Sequence, residues 1–268
     1  MKVIPLDIPA KMDDVDSWLV VGLDPSLSRT GYAIMVVHSK ATEPLPVALW
    51  QDVGSVKPSE AKEPIWVRGK AMALHLRETI AKAFTLIGSP TRMGLIISME
   101  YPTPMNDFLV ALNRIIHLVF FEGDFYKQFA AIRVLTVNAA TMRSLMNLKM
   151  RGASNKKENI LRAYEYINKS RWPSLDTDSC DAVLHAVIAK HVAAIMLGFP
   201  DSVPERYKNV LCNSNKEVKG KGTRVRIITK GLLHRDEYWY PYIRKEYTLL
   251  VKDAGNPKPG LQREHLTL

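Results

Sequence analysis

Short apolar runs and longer helical periods divide this chain from residue 18 onward. Residues 19–23 and 33–37 are two apolar runs flanking a polar segment that opens with Asp24-Pro25 and closes with Thr30-Gly31. Runs of this length with Pro, Ser and Gly punctuation predict a pair of strands, and Asp24 falls where the first one ends. Residues 47–53, after Pro44 and Pro46, predict a third strand and so a meander. The period then changes. Ile65, Met72, Leu76, Ile80, Ala83 and Ile87 recur at helical spacing, with Pro64 suited to the first turn and Gly88 to the end. Residues 93–99 form a continuous apolar run of the kind buried on both faces of a sheet, and the run stops at Glu100. Next come a helix over 106–121, a strand over 132–137, and a short helix capped by Asn138 through Leu145. A basic loop over 149–157 leads to a helix over 158–168, Pro173 breaks that pattern, and a last long helix covers 179–197. The order is three strands, helix, strand, helix, strand, helices, with no internal repeat.

Composition narrows the class. With 268 residues, 47% apolar and 24% charged, the chain can bury one substantial core. The N-terminal residues lack a charged segment leading into an apolar run and cleavage site, so no signal peptide is expected. The apolar stretch 182–199 is interrupted by His185, Lys190 and His191, which predicts a core helix and no membrane span. Cys180 and Cys212 give neither a disulfide framework nor a CxxC pair for zinc, and a reducing, cytoplasmic setting is expected. The formal charge of +10 points to a polyanionic partner, with nucleic acid the leading candidate. Residues 200–268 carry fourteen Lys or Arg against eight Asp or Glu. That shift divides the chain into residues 1–199 and a basic, aromatic-containing extension over 200–268.

Four acids stand at element ends: Asp24, Glu100, Asp178 and Asp181. An ionised carboxylate ending a buried strand is costly unless a cation or donor compensates it. Each acid also has an ordinary reading. Asp24 can accept hydrogen bonds from turn amides, Glu100 can be an exposed strand end, and Asp178 can cap the last helix with Asp181 adding favourable charge in its first turn. Taken together they suit another role, because Asp178 and Asp181, three apart, share a helix face. Converging carboxylates repel one another unless divalent cations neutralise them, and all-oxygen ligation suits Mg²⁺ or Mn²⁺. Such a set fits two-metal phosphodiester hydrolysis, with Glu100 as a bridging ligand or as the residue that orients water.

Three stretches resemble the RuvC family of Holliday junction resolvases, within the RNase H-like superfamily. GLDPSLSRTGYAI is similar to the family's first motif, IISMEYPTP to its second, and DTDSCDAVLHAVIAKH to its last, in the same order. The resemblance covers residues 18–197. It implies an α/β fold, a mixed five-stranded sheet flanked by helices, with the C-terminal extension added. It also implies a metal-dependent endonuclease that works as a homodimer on branched DNA, with two Mg²⁺ or Mn²⁺ ions held by Asp24, Glu100, Asp178 and Asp181. Lys156 or Lys157 is similar to the family's basic position near the cut phosphate. Neither Tyr101 nor Phe108 matches the junction-wedging aromatic, and the family's bacterial members end soon after the last helix. The extension marks a divergent member, with a phage or virus as one source.

Candidate phosphate contacts are Lys149, Arg151, Lys156 and Lys157 in the basic loop, joined by Arg224, Arg226 and Lys230 in the extension. A solvated charged surface is the ordinary reading of that loop. Tyr238, Trp239, Tyr240 and Tyr242 suit a small core or stacking on bases. Three rivals remain. An actin-like or sugar-kinase ATPase would need a second Gly-rich phosphate loop, which the sequence lacks. A non-catalytic DNA-binding scaffold would be favoured by loss of an acid, but all four are present. A nuclease of the same fold that cuts flaps, linear DNA or RNA hybrids stays open.

Overall fold

The structure is a computed structural model that describes residues 15–26, 28–39, 44–57, 63–88, 92–100, 107–121, 124–137, 139–148, 155–219, 224–230 and 239–240. The predicted meander is present as β1 (Ser17–Asp24), β2 (Thr30–His38) and β3 (Val47–Val56), antiparallel throughout. β4 (Met93–Glu100) then lies parallel to β1, and β5 (Ile132–Val137) parallel to β4, giving the order β3-β2-β1-β4-β5. This is the mixed five-stranded sheet that the motifs imply. β6 (Asn213–Lys219) and β7 (Arg224–Lys230) pair as a separate two-stranded sheet. The short β8 (Trp239–Tyr240) adds antiparallel to β5 at the edge of the main sheet.

Helices cover both faces of the sheet, and strand alternation sorts side chains between them. Leu19, Val21 and Leu23 of β1, with Leu95, Ile97 and Met99 of β4, pack under α1 (Ile65–Leu86) and α2 (Asp107–Phe121). Trp18 and Val20, with Ile96, pack under α5 (Thr177–Met196). Against α5 lie α3 (Ala139–Leu145), α4 (Asn155–Tyr164) and α6 (Glu205–Leu211). Burying each large aliphatic side chain contributes about 1.5–3 kcal/mol, so the two layers fix the strand register through many such terms.

α5 is the central helix. Its incompletely buried residues are Thr177, Asp178, Asp181 and Lys190, and the rest are buried all round. A helix apolar on every side must lie inside the protein or in lipid. Of the described helices, α5 is long and apolar enough to cross a membrane, and 83% of its 18-residue apolar window is buried within the fold, as a core helix requires.

Some boundaries differ from expectation. α4 begins at Asn155, so Lys156 and Lys157 stand in its first turn and not in a loop; Asn and Lys favour a helix start less strongly than the apolar period that follows. α6 was not expected. Its Tyr207 and Leu211, with Val203 and Cys212, are buried against α5, so core packing continues past Pro200. The alternation over 223–229 is a strand, β7. Trp239 and Tyr240 have their backbone on the edge of β5, while Tyr238 and Tyr242 lie outside the described residues, as do Tyr101, Lys149 and Arg151.

Candidate active site

The alternation that sorts the core also places the first two acids. On β1, positions 18, 20 and 22 face α5: a Cβ on Gly22 would collide with the Ala182 carbonyl and the Ala186 amide. Asp24 is the next position in that series. On β4, Ser98 faces α5, with its Oγ 3.4 Å from His185 Nδ1, and Glu100 is the next position. The parallel register sets Leu23 beside Met99. Asp24 and Glu100 therefore follow side by side at the carboxyl ends of neighbouring strands, whose spacing is about 4.8 Å.

The second pair of acids comes from the start of α5. Gly31 pairs with Asp24 across the hairpin, and a Cβ there would collide with the Asp178 carbonyl. The first turn of α5 thus rests directly on the strand row that ends in Asp24. The helix cap is Asp176, whose Oδ1 accepts from the Ser179 amide at 2.8 Å. Capping is therefore not the role of Asp178, contrary to its ordinary reading. Asp181 Oδ1 accepts from Asn159 Nδ2 of α4 at 2.6 Å.

Charge shows how near these groups are. Burial, followed by the charges of Asp181, Glu100, Asp178 and Asp176, pushes the Asp24 carboxyl up to about 8. Burial and Asp181 also raise Glu100, opposed by Arg143 of α3. Asp176 behaves oppositely: burial would raise it, but hydrogen bonds from Ser179, Ser55 and Arg29 outweigh that and hold it at about 2. Full burial pushes His185 down to about 4, so it is neutral at pH 7 and offsets none of the negative charge.

Among the described residues, no three His, Cys, Asp or Glu side chains are grouped tightly enough to hold an ion as they stand. The donor set nevertheless fits a divalent cation. It is all carboxylate oxygen, partly buried and mutually repulsive.

Of the expected phosphate contacts, Lys157 is exposed in the first turn of α4, two residues before the Asn159 that reaches Asp181. Lys156 stands one helical turn before Asn159. Arg224, Arg226 and Lys230 lie on β7, in register with Lys219, Glu217 and Asn213. Arg29, in the loop after β1, pairs with Asp176 at 2.8 Å. Asn159 and Arg143 were missed. Each reads in sequence as polar helix surface, and only the packing of α3 and α4 beside the acids reveals it.

Strand order and flanking helices give the chain an RNase H-like fold, with Asp24 and Glu100 at the ends of neighbouring strands. No protein-family model and no curated protein matches the chain. Among solved structures it is similar to T. thermophilus RuvC in complex with a Holliday junction substrate, at 15% identity and TM-score 0.43, over 69% of this chain and 97% of that one. It is also similar to the yeast mitochondrial Holliday junction resolvase, at 13% identity and TM-score 0.41, over 71% and 79%. A human cytomegalovirus terminase nuclease domain, soaked with Mn and inhibitor-bound, aligns at 16% identity and TM-score 0.38, over 69% and 88%.

Proposed function

We propose that this protein is a divalent-metal-dependent, structure-selective DNA endonuclease, acting on Holliday junctions or other branched DNA. The observation that carries the reading is Asp24: a carboxyl at the end of the central strand, beside Glu100 of β4, raised to about 8 by burial and by the charges of Asp181, Glu100, Asp178 and Asp176. Natural folds keep such stress where a ligand relieves it. Asp24, Glu100, Asp178 and Asp181 are the residues that would hold Mg²⁺ or Mn²⁺. Ions held there would supply the positive charge that phosphodiester hydrolysis requires at the attacking and departing oxygens.

The chain's own groups do the rest. Asn159 donates to one oxygen of Asp181 and so fixes the orientation of that carboxylate. Arg143 limits the rise of the Glu100 pKa and so favours its ionised form. Lys156 and Lys157, at the start of the helix that carries Asn159, would meet the phosphates flanking the cut. Lys149 and Arg151, just ahead of that helix, and Arg224, Arg226 and Lys230 on β7 would extend the contact. With ~6–10 phosphate contacts, affinity should fall on the order of 10³–10⁵-fold from 50 to 200 mM salt, read by titrating labelled DNA. A slope near zero would remove the polyanion reading.

The defining experiment compares cleavage of four-way, flap and linear DNA in Mg²⁺ and Mn²⁺. Preference for the four-way junction is expected; equal cleavage of linear DNA would keep the metal chemistry and reject the resolvase. Paired nicks need two sites, and we assign the active form as a homodimer. Sedimentation of the full chain should show a dimer at micromolar concentration, and a monomer there would exclude it.

A further inference from the structure

The turn that opens α5 contains a third carboxylate, Asp176, which the proposed metal set leaves unused. Its contacts reach three elements. Oδ1 accepts from the Ser179 amide at 2.8 Å, in the first turn of α5. Oδ2 accepts from Arg29 Nη1 at 2.8 Å, in the loop leaving β1, and from Ser55 Oγ at 2.7 Å, on β3. Ser55 pairs with Gly31 and Gly31 with Asp24, so one row of the sheet runs from Asp24 to Ser55. Asp176 grips the far end of that row, the loop that follows Asp24, and the helix turn that carries Asp178.

A helix cap alone needs one side-chain oxygen, and the second would ordinarily face water. Here it is filled from Arg29 and Ser55, 147 and 121 residues away along the chain. The ion pair is partly exposed, at 33% for Arg29 and 25% for Asp176, so screening leaves it a small part in overall stability. Its consequence is geometric. With Gly31 pressed against the Asp178 carbonyl on one side and Asp176 gripping Ser55 on the other, the offset between β1 and α5 has no slack.

We infer that Asp176 is a positioning residue of the carboxylate site, setting the separation of Asp24 from Asp178 and Asp181 without holding an ion itself. The inference rests on the proposed metal-dependent nuclease. Outer partners of metal ligands act in this way, and their loss costs about 10–100-fold in metal affinity or activity.

Two variants separate this from plain capping. Asp176→Asn keeps a good cap and the side-chain shape but loses the charge that holds Arg29. Ser55→Ala removes one grip on the sheet and leaves the cap untouched. The probe is Mn²⁺ alone, titrated calorimetrically into the full chain, together with the Mn²⁺ dependence of DNA cleavage. For both variants the half-saturating Mn²⁺ concentration should rise about 10-fold, with the rate largely restored at saturating Mn²⁺ and circular dichroism unchanged. Wild-type Mn²⁺ affinity in both variants would overturn the inference and leave Asp176 a cap. Activity that no Mn²⁺ concentration restores in Asp176→Asn would overturn it in favour of a direct ligand. Absence of Mn²⁺ binding by the wild-type chain would overturn the inference together with the nuclease reading beneath it.

Discussion

Replacing Asp24 by Asn is expected to abolish cleavage while making the metal-free protein more stable at pH 8. Removing an outer partner of a metal ligand costs about 10–100-fold, so losing a direct ligand should cost more than ~10²-fold in rate. The gain in stability follows from linkage. The Asp24 carboxyl is pushed up to about 8 in the fold from an ordinary value of 3.8, so the folded protein retains a proton that the unfolded chain releases. Stability from this group is complete below about pH 4 and is lost as pH rises through about 8. Asn carries no charge and removes that loss. Urea titrations at pH 5 and pH 8 should therefore show a wild-type decline that the variant lacks, and Mn²⁺ should restore stability to the wild type alone. Full cleavage by Asp24→Asn would remove it from the site. A variant less stable than wild type at pH 8 would mean that the carboxylate is already satisfied without a cation.

Gly22→Ala should be one of the most disruptive single-methyl changes on the described strands. The added Cβ would meet the Ala182 carbonyl oxygen and the Ala186 amide, both backbone atoms of a helix buried all round. Flexible side chains can turn away, but a buried helix must lift as a unit. Overpacking costs typically ~1–3 kcal/mol, and this collision lies at or above the upper end. Lifting α5 also carries Asp178 and Asp181 away from Asp24, so Mn²⁺ affinity should fall with stability. Gly69→Ala is the contrasting case. Its Cβ would meet Ile115 Cδ1 at 3.0 Å and Leu112 Cδ1 at 3.4 Å, both ends of flexible side chains. The helical gain of Ala over Gly, ~0.5–1 kcal/mol, offsets that crowding. Denaturant midpoints should place Gly69→Ala within about 1 kcal/mol of wild type and Gly22→Ala several-fold further away. Equal midpoints would disprove the close contact of α5 with β1.

Periodicity made the sheet and its principal helices legible, because continuous apolar runs such as 93–99 have few other places to go. The boundary of α4 was less so: Asn155 and Lys156 add nothing to the apolar period, which begins only later in a helix that packs on α5 through Ile160, Ala163 and Tyr164. α6 escaped because its short pattern follows two prolines and its burial depends on α5. The strand-end places of Asp24 and Glu100 could be read from where apolar runs stop. That Asp176 and not Asp178 caps the helix could not, since both are Asp in one short turn and the choice is made by Ser55 and Arg29 from distant segments.

The burial of α5 has a consequence for how the protein fails. In many enzymes the reactive groups sit on loops that open at small cost, long before the fold is lost. Here Asp178 and Asp181 are two of the few surface-reaching residues on the helix that forms the core. The Asp181 amide, inside the helix ladder, should exchange with solvent hydrogen only through near-global opening, and activity lost on warming should track the unfolding transition without an earlier inactivation step. Competence and foldedness become one cooperative event.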